Sequence, residues 1–532
     1  MRHDQLNWAS LYPSFRKPMF GANVVATSQP LAAQAGMSML QKGGNAVDAA
    51  VATAICLAVV EPTMNGIGSD SFALVWDRKK VHGLNASGRS PVVWTPDTFR
   101  GLSQMPTTGW GCVTVPGAVS GWIELSRKFG TLPFAELFKP AIEYATSGYL
   151  VSPVTARTWQ LECEKYREFD SYVATFLPEG HAPAPGELFK CPQMGETLAE
   201  IAGTYGESFY RGRLARLIAE HARETGGWMT EEDLASHELE WVEPLKLDFG
   251  DYALYEIPPN SHAIAALLAL GILRHTNVAS MDPDSAEAVD IQARAMTEAI
   301  RVVQSEVADP AWMRVAPEAL LDEQWFSEKA SQIAGGTAEL RRGIHEGPQP
   351  DTVFMTAADA SGMMVSLIQS NYFDFGSGIV IPDTGISMHS RGALFSLEPG
   401  HPNEVGGRKR PFHTLCPGFV THNGEPAMSL GVIGGPLQPQ GHVQMFLRVC
   451  AHGQNPQAAC DAPRWFVTTE GPVMLEGGLY GSIGAQLQQR GHTVEPVEYG
   501  DPMFGGAQAI CKLENGYCAA SDPRRDGEAA VW

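Results

Sequence analysis

A threonine at position 352 has the chemistry of a nucleophile that carries its own base. If the backbone is cut between Asp351 and Thr352, Thr352 becomes an N-terminal residue. Its hydroxyl group can then attack a carbonyl carbon, while the α-amine of the same residue accepts the hydroxyl proton. Because an α-amine has a reference pKa of about 8, this chemistry requires no histidine.

Two glycines, Gly434 and Gly435, could stabilise negative charge on a reacting oxygen. They follow directly on a strand-like run, where backbone N–H groups can point toward a developing oxyanion. An ordinary tight turn is the alternative interpretation of the pair. Glycines also recur at 66–68 and 375–378, which indicates other places where the backbone approaches a neighbour closely.

Several other catalytic motifs are absent from the sequence. It has no Gly-Lys dipeptide and therefore no phosphate-binding P-loop, and it has neither HExxH nor GxSxG. The 9 cysteines form no CxxC pair and no Cys/His cluster with zinc spacing, so we expect buried, reduced thiols. We expect neither a metal nor an organic cofactor.

The residues that follow Thr352 predict a β-hairpin that would position it. Residues 352–357 and 363–369 are rich in β-branched and apolar side chains, and residues 358–362 between them have turn chemistry. The stretch 347–351 before the hairpin is loop-like. Later in the chain the sequence predicts strands at 418–421 and 426–432 and a helix at 440–450.

Helical periodicity dominates from about residue 31 to residue 330. A buried helix is predicted at 46–60, with Asn45 as its N-cap and Asp48 completing a capping box. A second long helix is predicted at 286–307, and a strand at 252–257 lies between them.

Composition argues against several classes of partner. The formal net charge of −21 at pH 7 would repel the phosphates of nucleic acid and of acidic membranes. Residues 1–8 lack the apolar core of a secretory signal, and the longest apolar stretch, 46–60, is shorter than the roughly 20 residues of a spanning helix. We therefore expect a cytoplasmic protein that binds neither nucleic acid nor membrane.

Ten short segments stand in an order that indicates a family: 42–50, 59–62, 66–68, 115–121, 209–212, 243–245, 257–259, 409–411, 462–464 and 520–524. With them the chain resembles the γ-glutamyltranspeptidase family of N-terminal nucleophile hydrolases, from about residue 21 to residue 527. Three further segments, 85–89, 369–372 and 438–442, look most like the branch that contains oxamate amidohydrolase and glutathione hydrolase-like proteins.

The resemblance implies an α+β fold, a four-layer αββα sandwich made as one precursor. Such precursors cleave themselves before a threonine that begins a hairpin, which here means between Asp351 and Thr352. Residues 1–351 would form the large subunit and residues 352–532 the small subunit, and the two would stay together. Whether two such heterodimers pair stays open.

The resemblance also implies roles around the nucleophile. Thr352 would attack the Asp351 carbonyl during processing and a substrate amide during turnover, which gives an acyl-enzyme. The Gly434 and Gly435 N–H groups match the family's oxyanion hole, and Ser370 matches a hydroxyl that supports the nucleophile. An ordinary strand hydroxyl is the alternative for Ser370.

Several positions depart from the pattern that binds a γ-glutamyl group. Ser87 replaces the arginine that holds the substrate α-carboxylate, and Leu394 replaces the acid that holds the α-amine. A pair of serines becomes His413 and Thr414, and a glutamine becomes Arg391. A site without its acid binds an α-ammonium poorly, because the cation loses hydration without gaining a partner. A small substrate with a carboxylate and no amine fits this set.

An anionic group on the substrate would be held by arginine and histidine side chains. The predicted substrate-binding residues are Arg391, His413, Thr414, Arg89, Ser87 and Tyr372. Structural ion pairs are the alternative for both arginines, and a satisfied core histidine is the alternative for His413.

Three functions stay open at this point. The first is a self-processing amidohydrolase that acts on a small, oxamate-like amide acid. The second is a glutathione hydrolase or γ-glutamyltransferase. The third is an unprocessed binding protein without activity, against which the intact Thr352 and its glycine pair argue.

Overall fold

The computed structural model describes residues 16–335, 351–468 and 472–532. Residues 1–8 and most of the loop-like stretch predicted before Thr352, residues 347–350, lie outside this part of the chain. Asp351 already belongs to a strand.

The helices come mainly from the first two thirds of the chain. They are α1 (Pro30–Gln41), α2 (Ala46–Val60), α3 (Ala118–Phe129), α4 (Lys139–Ser147), α5 (Pro153–Glu162), α6 (Asp170–Phe176), α7 (Pro192–Thr204), α8 (Glu207–Arg211), α9 (Arg213–Glu224), α10 (Glu231–Ala235), α11 (Ile264–Leu273), α12 (Ala286–Glu306), α13 (Glu323–Ala334), α14 (Gln438–Phe446), α15 (Pro456–Asp461) and α16 (Gly477–Gln489). Among the described residues, none of these helices combines the length and the apolar character that a bilayer crossing requires.

The strands are distributed along the whole chain. They are β1 (Met19–Gly21), β2 (Val24–Thr27), β3 (Asp70–Trp76), β4 (Val81–Asn85), β5 (Tyr149–Leu150), β6 (Leu188–Phe189), β7 (Glu240–Val242), β8 (Leu245–Phe249), β9 (Tyr252–Glu256), β10 (Asp351–Ala358), β11 (Met364–Tyr372), β12 (Val380–Ile381), β13 (Ile386–Ser387), β14 (Gly418–His422), β15 (Glu425–Ile433), β16 (Trp465–Val467), β17 (Val473–Glu476), β18 (Val494–Val497), β19 (Gly506–Leu513), β20 (Gly516–Ser521) and β21 (Glu528–Val531).

Two seven-stranded sheets form the centre of the molecule. Sheet I has the strand order β21-β2-β10-β11-β3-β4-β7, and sheet II has the order β1-β20-β19-β15-β14-β9-β8. Strand β10, which carries Thr352, lies inside sheet I, where it pairs antiparallel with both β2 and β11. Both faces of β10 are covered, and every residue from Thr352 to Ala358 is buried.

The two sheets pack face to face. The Thr356 hydroxyl on β10 lies 2.7 Å from the Ser429 hydroxyl on β15, so a hydrogen bond crosses the interface. A Cβ atom at Gly431 of β15 would overlap the ring of Phe354, which is why glycine stands there. The start of the hairpin is thereby held against the end of β15.

Helices cover the outer faces of both sheets. Helix α2 packs on β10 and β11 of sheet I, and all of its 15 residues are buried. Helices α11 and α14 pack on sheet II, and α11 is likewise buried throughout. The order of layers is helix, sheet, sheet, helix, so the predicted αββα fold is confirmed.

Most of the predicted elements are confirmed. The capping box at Asn45 and Asp48 starts α2, and the predicted helix at 286–307 is α12. The helix predicted at 440–450 begins earlier, at Gln438, because Pro439 is tolerated in the first turn of a helix. After Phe446 it continues as a π-helical turn, Leu447–Ala451.

Candidate functional site

Thr352 lies near the start of β10, and its side chain is almost fully buried. The residue is 1% exposed. The register between the two hairpin strands shifts by one residue here, so Thr352 stands opposite both Ser370 and Asn371 on β11. The extra residue lies on β11, so the bulge re-aims the side chains of Ser370 and Asn371 beside Thr352.

Gln438 contacts the candidate nucleophile. Its Nε2 atom donates to Thr352 Oγ1 at 3.4 Å. Its Oε1 atom accepts a hydrogen bond from the Cys416 N–H at 2.9 Å, which fixes the orientation of the amide. The sequence prediction did not include Gln438 among the site residues.

Ser370 and Tyr372 form the other side of the hairpin at this point. The Ser370 hydroxyl accepts a hydrogen bond from the Tyr372 N–H at 2.8 Å. Tyr372 has a φ of 79°, in the left-handed region that few bulky residues occupy. The guanidinium carbon of Arg391 lies 5.0 Å from the centre of the Tyr372 ring, so a cation stacks on this side chain.

Gly434 and Gly435 connect β15 to the turn before α14. Their φ values are 115° and 51°, which fit glycine. Within the part of the chain that the structure describes, neither N–H group donates a hydrogen bond to the protein. The helix that carries Gln438 begins three residues after Gly435, so this turn and the contact with Thr352 belong to the same short segment.

Arg391 is a fully buried cation that uses only part of its hydrogen-bonding capacity. Its Nη1 atom donates to Thr414 Oγ1 at 2.7 Å. Its Nε and Nη2 atoms have no hydrogen-bond partner among the described residues. Burial lowers the pKa of Arg391 to about 10, although the charge of Asp70 opposes this shift, so the group stays charged at neutral pH. Two free donors on a buried cation fit a planar anion.

Asp70 is the acid that faces this cation. Its carboxylate accepts hydrogen bonds from Gly117 N at 2.9 Å, from Gly88 N at 3.3 Å and from His413 Nε2 at 3.2 Å. Burial raises the pKa of Asp70 to about 7, although Arg391 and the two backbone donors lower it. A Cβ atom at either glycine would overlap a backbone carbonyl, so both positions need glycine for this close approach.

Two histidines beside Asp70 are neutral and have a defined tautomer. His413 Nδ1 accepts from Leu415 N at 3.3 Å, and His389 Nδ1 accepts from Arg391 N at 3.0 Å, which leaves the proton of each ring on Nε2. Burial and the charge of Arg391 lower the pKa of His389 to about 3 and that of His413 well below its usual value. Neither ring therefore supplies positive charge for a substrate. Sequence reasoning missed Asp70 and His389.

Ser87 and Arg89 lie at the edge of this group. The Ser87 hydroxyl donates to Asn85 Oδ1 at 2.7 Å. Arg89 pairs with Glu240 at 3.0 Å, and about a third of its side chain is exposed. The structure thus joins Arg391, Thr414 and Tyr372 by direct contacts, whereas Arg89 makes the ion pair that was its alternative interpretation. A substrate contact for Arg89 stays a prediction.

Potential metal ligands within the described residues cluster elsewhere. Glu179, His181 and Glu187 each place one ligand atom within 4.8 Å of the others. None of them belongs to the group around Thr352, and exposed acidic clusters of this kind are common without an ion.

The structure therefore gathers the candidate nucleophile, a donor amide, a pair of glycine N–H groups and a buried cation at one end of sheet I and sheet II. This set can attack a carbonyl, stabilise the oxyanion that results and hold an anionic group nearby. The electrostatics favour an anion over a cation, because Asp70, the acid that faces the cation among the described residues, already accepts hydrogen bonds from the protein.

Comparisons with known proteins identify the family to which the chain belongs. The family model described as gamma-glutamyltranspeptidase matches residues 32–532. The glutathione hydrolase-like YwrD proenzyme of Bacillus subtilis is 37% identical over 95% of this chain and 98% of its own length. The oxamate amidohydrolase proenzyme of Klebsiella pneumoniae is 35% identical over 94% of this chain and 97% of its own length. The crystal structure of a cephalosporin acylase from Bacillus halodurans has a TM-score of 0.93 and 42% identity, with 99% of each chain covered.

Proposed function

The chain belongs to the γ-glutamyltranspeptidase family, and from that premise we propose that it is a self-cleaving amidohydrolase whose nucleophile is Thr352. Members of this family are hydrolases and transferases that act on amide bonds. The substrate that we propose is a small amide that carries a carboxylate and no α-amine. The observation that carries this proposal is the buried Arg391 with two free donors.

Processing would use the same hydroxyl group as turnover, but the α-nitrogen of Thr352 is then still part of the peptide bond and takes up the hydroxyl proton only as that bond breaks. The Thr352 hydroxyl attacks the Asp351 carbonyl, the acyl group shifts from nitrogen to oxygen, and water opens the ester. This reaction divides the chain into a large subunit, residues 1–351, and a small subunit, residues 352–532. The word proenzyme in the names of two relatives supports such a step.

Turnover would proceed through an acyl-enzyme. The hydroxyl of Thr352 forms a bond to the substrate carbonyl carbon and gives its proton to the α-amine of the same residue. The amide C–N bond then breaks, and the leaving nitrogen takes that proton. The N–H groups of Gly434 and Gly435 would stabilise the oxyanion, and removal of one such donor typically raises the barrier by about 2.7–4 kcal/mol.

The γ-glutamyl alternative meets an obstacle at Leu394. This apolar residue ends the short turn Arg391–Leu394, at the position where the family holds its amine-binding acid. The acid that the structure does bring to the site, Asp70, is already hydrogen-bonded by two backbone N–H groups and by His413. An α-ammonium group would therefore lose its hydration without gaining an acidic partner.

A denaturing gel tests processing. The wild-type protein is expected to give two bands, with the smaller fragment beginning at Thr352, whereas Thr352→Ala is expected to stay as one chain. If Thr352→Ala were still cut before residue 352, self-cleavage by this hydroxyl would be excluded. An uncut wild-type protein without activity would favour the third function, a binding protein.

Assays with two substrates test specificity. Oxamate is expected to be hydrolysed, and γ-glutamyl-p-nitroanilide is expected to react poorly. The first compound represents small amide acids and the second represents γ-glutamyl amides that carry an α-amine. Efficient γ-glutamyl turnover without oxamate hydrolysis would replace our proposal by the glutathione hydrolase alternative.

A further inference from the structure

The side chain of Gln438 lies against the reacting atom of the proposed nucleophile. It is fully buried at the first position of α14, and its Nε2 atom is 3.4 Å from Thr352 Oγ1. The distance is long for a hydrogen bond, but catalytic hydrogen bonds often tighten only when substrate is bound. The contact joins two segments that are 86 residues apart in the chain.

The direction of this hydrogen bond is defined by the other end of the amide. Gln438 Oε1 accepts from the Cys416 N–H at 2.9 Å, so the NH₂ group must be the end that faces Thr352. A primary amide neither gains nor loses a proton at neutral pH. Gln438 can therefore donate to Oγ1 but cannot act as a general base.

We propose that Gln438 is a further catalytic residue, which stabilises negative charge on Thr352 Oγ1 each time this oxygen loses its proton or its acyl group. The inference rests on the proposed function, because it requires Thr352 to be the nucleophile. During attack the hydroxyl proton passes to the α-amine, and the Gln438 N–H supports the charge that develops on Oγ1.

The same donor acts in the second half of the reaction. Water adds to the acyl carbon and gives one proton to the α-amine, and the bond between that carbon and Oγ1 breaks. Thr352 Oγ1 leaves with the electron pair and takes the proton from the ammonium group, so the enzyme returns to its initial state. Gln438 keeps both of its protons throughout.

Two other glutamines of the same helix provide the matched control. Gln440 exchanges two hydrogen bonds with the backbone of Val467, at 3.0 Å and 2.9 Å. Gln444 does the same with Trp465, at 2.9 Å and 3.2 Å. The two side chains bond to the backbone of β16 in the way that a neighbouring strand would, so their role is structural. Gln438 differs because its amide group faces a hydroxyl instead of a carbonyl.

The test compares Gln438→Met with Gln444→Met in the full-length protein. Gln438→Met removes the donor at nearly constant volume, and kcat for amide hydrolysis is expected to fall by about 10²- to 10³-fold. Processing is expected to slow by a similar factor, measured as the half-time of appearance of the fragment that begins at Thr352. Gln444→Met is expected to lower the thermal midpoint and to leave kcat within about threefold.

Gln438→Glu is the second variant, in case the methionine variant does not fold. It keeps the acceptor for the Cys416 N–H, and its ionised form offers Oγ1 no donor, so the same losses are expected at a pH high enough to ionise the buried carboxyl group. Wild-type kcat and processing in either folded variant would overturn the proposal for Gln438 while leaving Thr352 as nucleophile. Failure of the proposed function has a different signature, since the wild-type protein itself would then be uncut or inactive.

Discussion

Two groups of buried charges in this molecule are built in opposite ways. The closed cluster consists of Arg464, Arg524, Glu476 and Asp522. In it Arg524 pairs with Glu476 at 2.6 Å and with Asp522 at 3.0 Å, and Arg464 pairs with Asp522 at 2.5 Å. Each cation meets a carboxylate, and the attraction of both arginines lowers the pKa of Asp522 to about 2 against the cost of burial.

The open cluster consists of Arg391, Asp70, His413 and His389. Here the acid is held by two backbone N–H groups and by His413, while the cation keeps two free donors. A buried cation that is only partly satisfied is costly, so its retention indicates a ligand that completes its hydrogen bonds. The closed cluster therefore fits a role in the fold, whereas the open cluster fits the anion recognition that we propose.

Removal of one charge from the closed cluster is expected to have the largest effect on stability. Arg524→Met leaves Glu476 and Asp522 buried without one of their cations, which typically costs about 3–5 kcal/mol. The measurement is urea unfolding in a Thr352→Ala background, where one uncut chain unfolds. Arg314→Met is the control, because the exposed Arg314 lies 3.8 Å from Glu306 and such pairs contribute about 0–1 kcal/mol. Equal losses in both variants would contradict a structural role for the closed cluster.

Removal of the cation from the open cluster is expected to affect catalysis more than stability. Arg391→Met should lower kcat/KM for a carboxylate-bearing amide about 30- to 500-fold, which corresponds to about 2–4 kcal/mol of lost charge-assisted hydrogen bonding. Its free energy of unfolding should fall less than that of Arg524→Met.

Arg89→Met tests the alternative anion contact under the same conditions. Arg89 is already paired with Glu240 and partly exposed, so we expect a smaller loss of kcat/KM than in Arg391→Met. If kcat/KM fell as much in Arg89→Met as in Arg391→Met, Arg89 would also bind the anion. If kcat/KM were unchanged in Arg391→Met, the open cluster would have no role in substrate binding.

Local patterns account for the parts of the fold that the sequence predicted. The hairpin at Thr352 and the capping box at Asn45 depend on residues that are neighbours in the chain, so composition and spacing are sufficient. The order of the family segments then gave the αββα layers. The predicted boundaries of α14 were less accurate, because the apolar residues of this helix continue without a break into the π-helical turn that follows it.

Contacts across long sequence separations could not be predicted in the same way. Asp70 and His413 are 343 residues apart in the chain, and the backbone N–H groups of Gly88 and Gly117 that also bind Asp70 come from two further segments. The same holds for Gln438, because the residues around it in the sequence do not indicate that its amide contacts Thr352 on a distant strand. Arg391 and Arg89 looked equivalent in the sequence, and only burial and pairing distinguish them.

Titration of the open cluster is expected to produce the smallest effect. Burial raises the pKa of Asp70 to about 7, so its charge opposes that of Arg391 above this pH and is lost below it. KM for an anionic substrate should therefore rise about fivefold between pH 6 and pH 8, or ~1 kcal/mol. The other charged group facing Asp70 is Arg410, and the lowered pKa values of His413 and His389 keep both rings neutral over this range.

Asp70→Asn separates this titration from that of the nucleophile. The α-amine of processed Thr352, with a reference pKa of about 8, must be neutral to act as a base, so its titration raises kcat as the pH rises. The asparagine variant should keep that increase in kcat and lose the pH dependence of KM, because Arg391 then faces no titrating acid. If KM of the wild-type protein were constant from pH 6 to pH 8, Asp70 would not titrate in this range. The charge of the open cluster would then be fixed, like that of the closed cluster, and the two clusters would differ in their free donors and not in their response to pH.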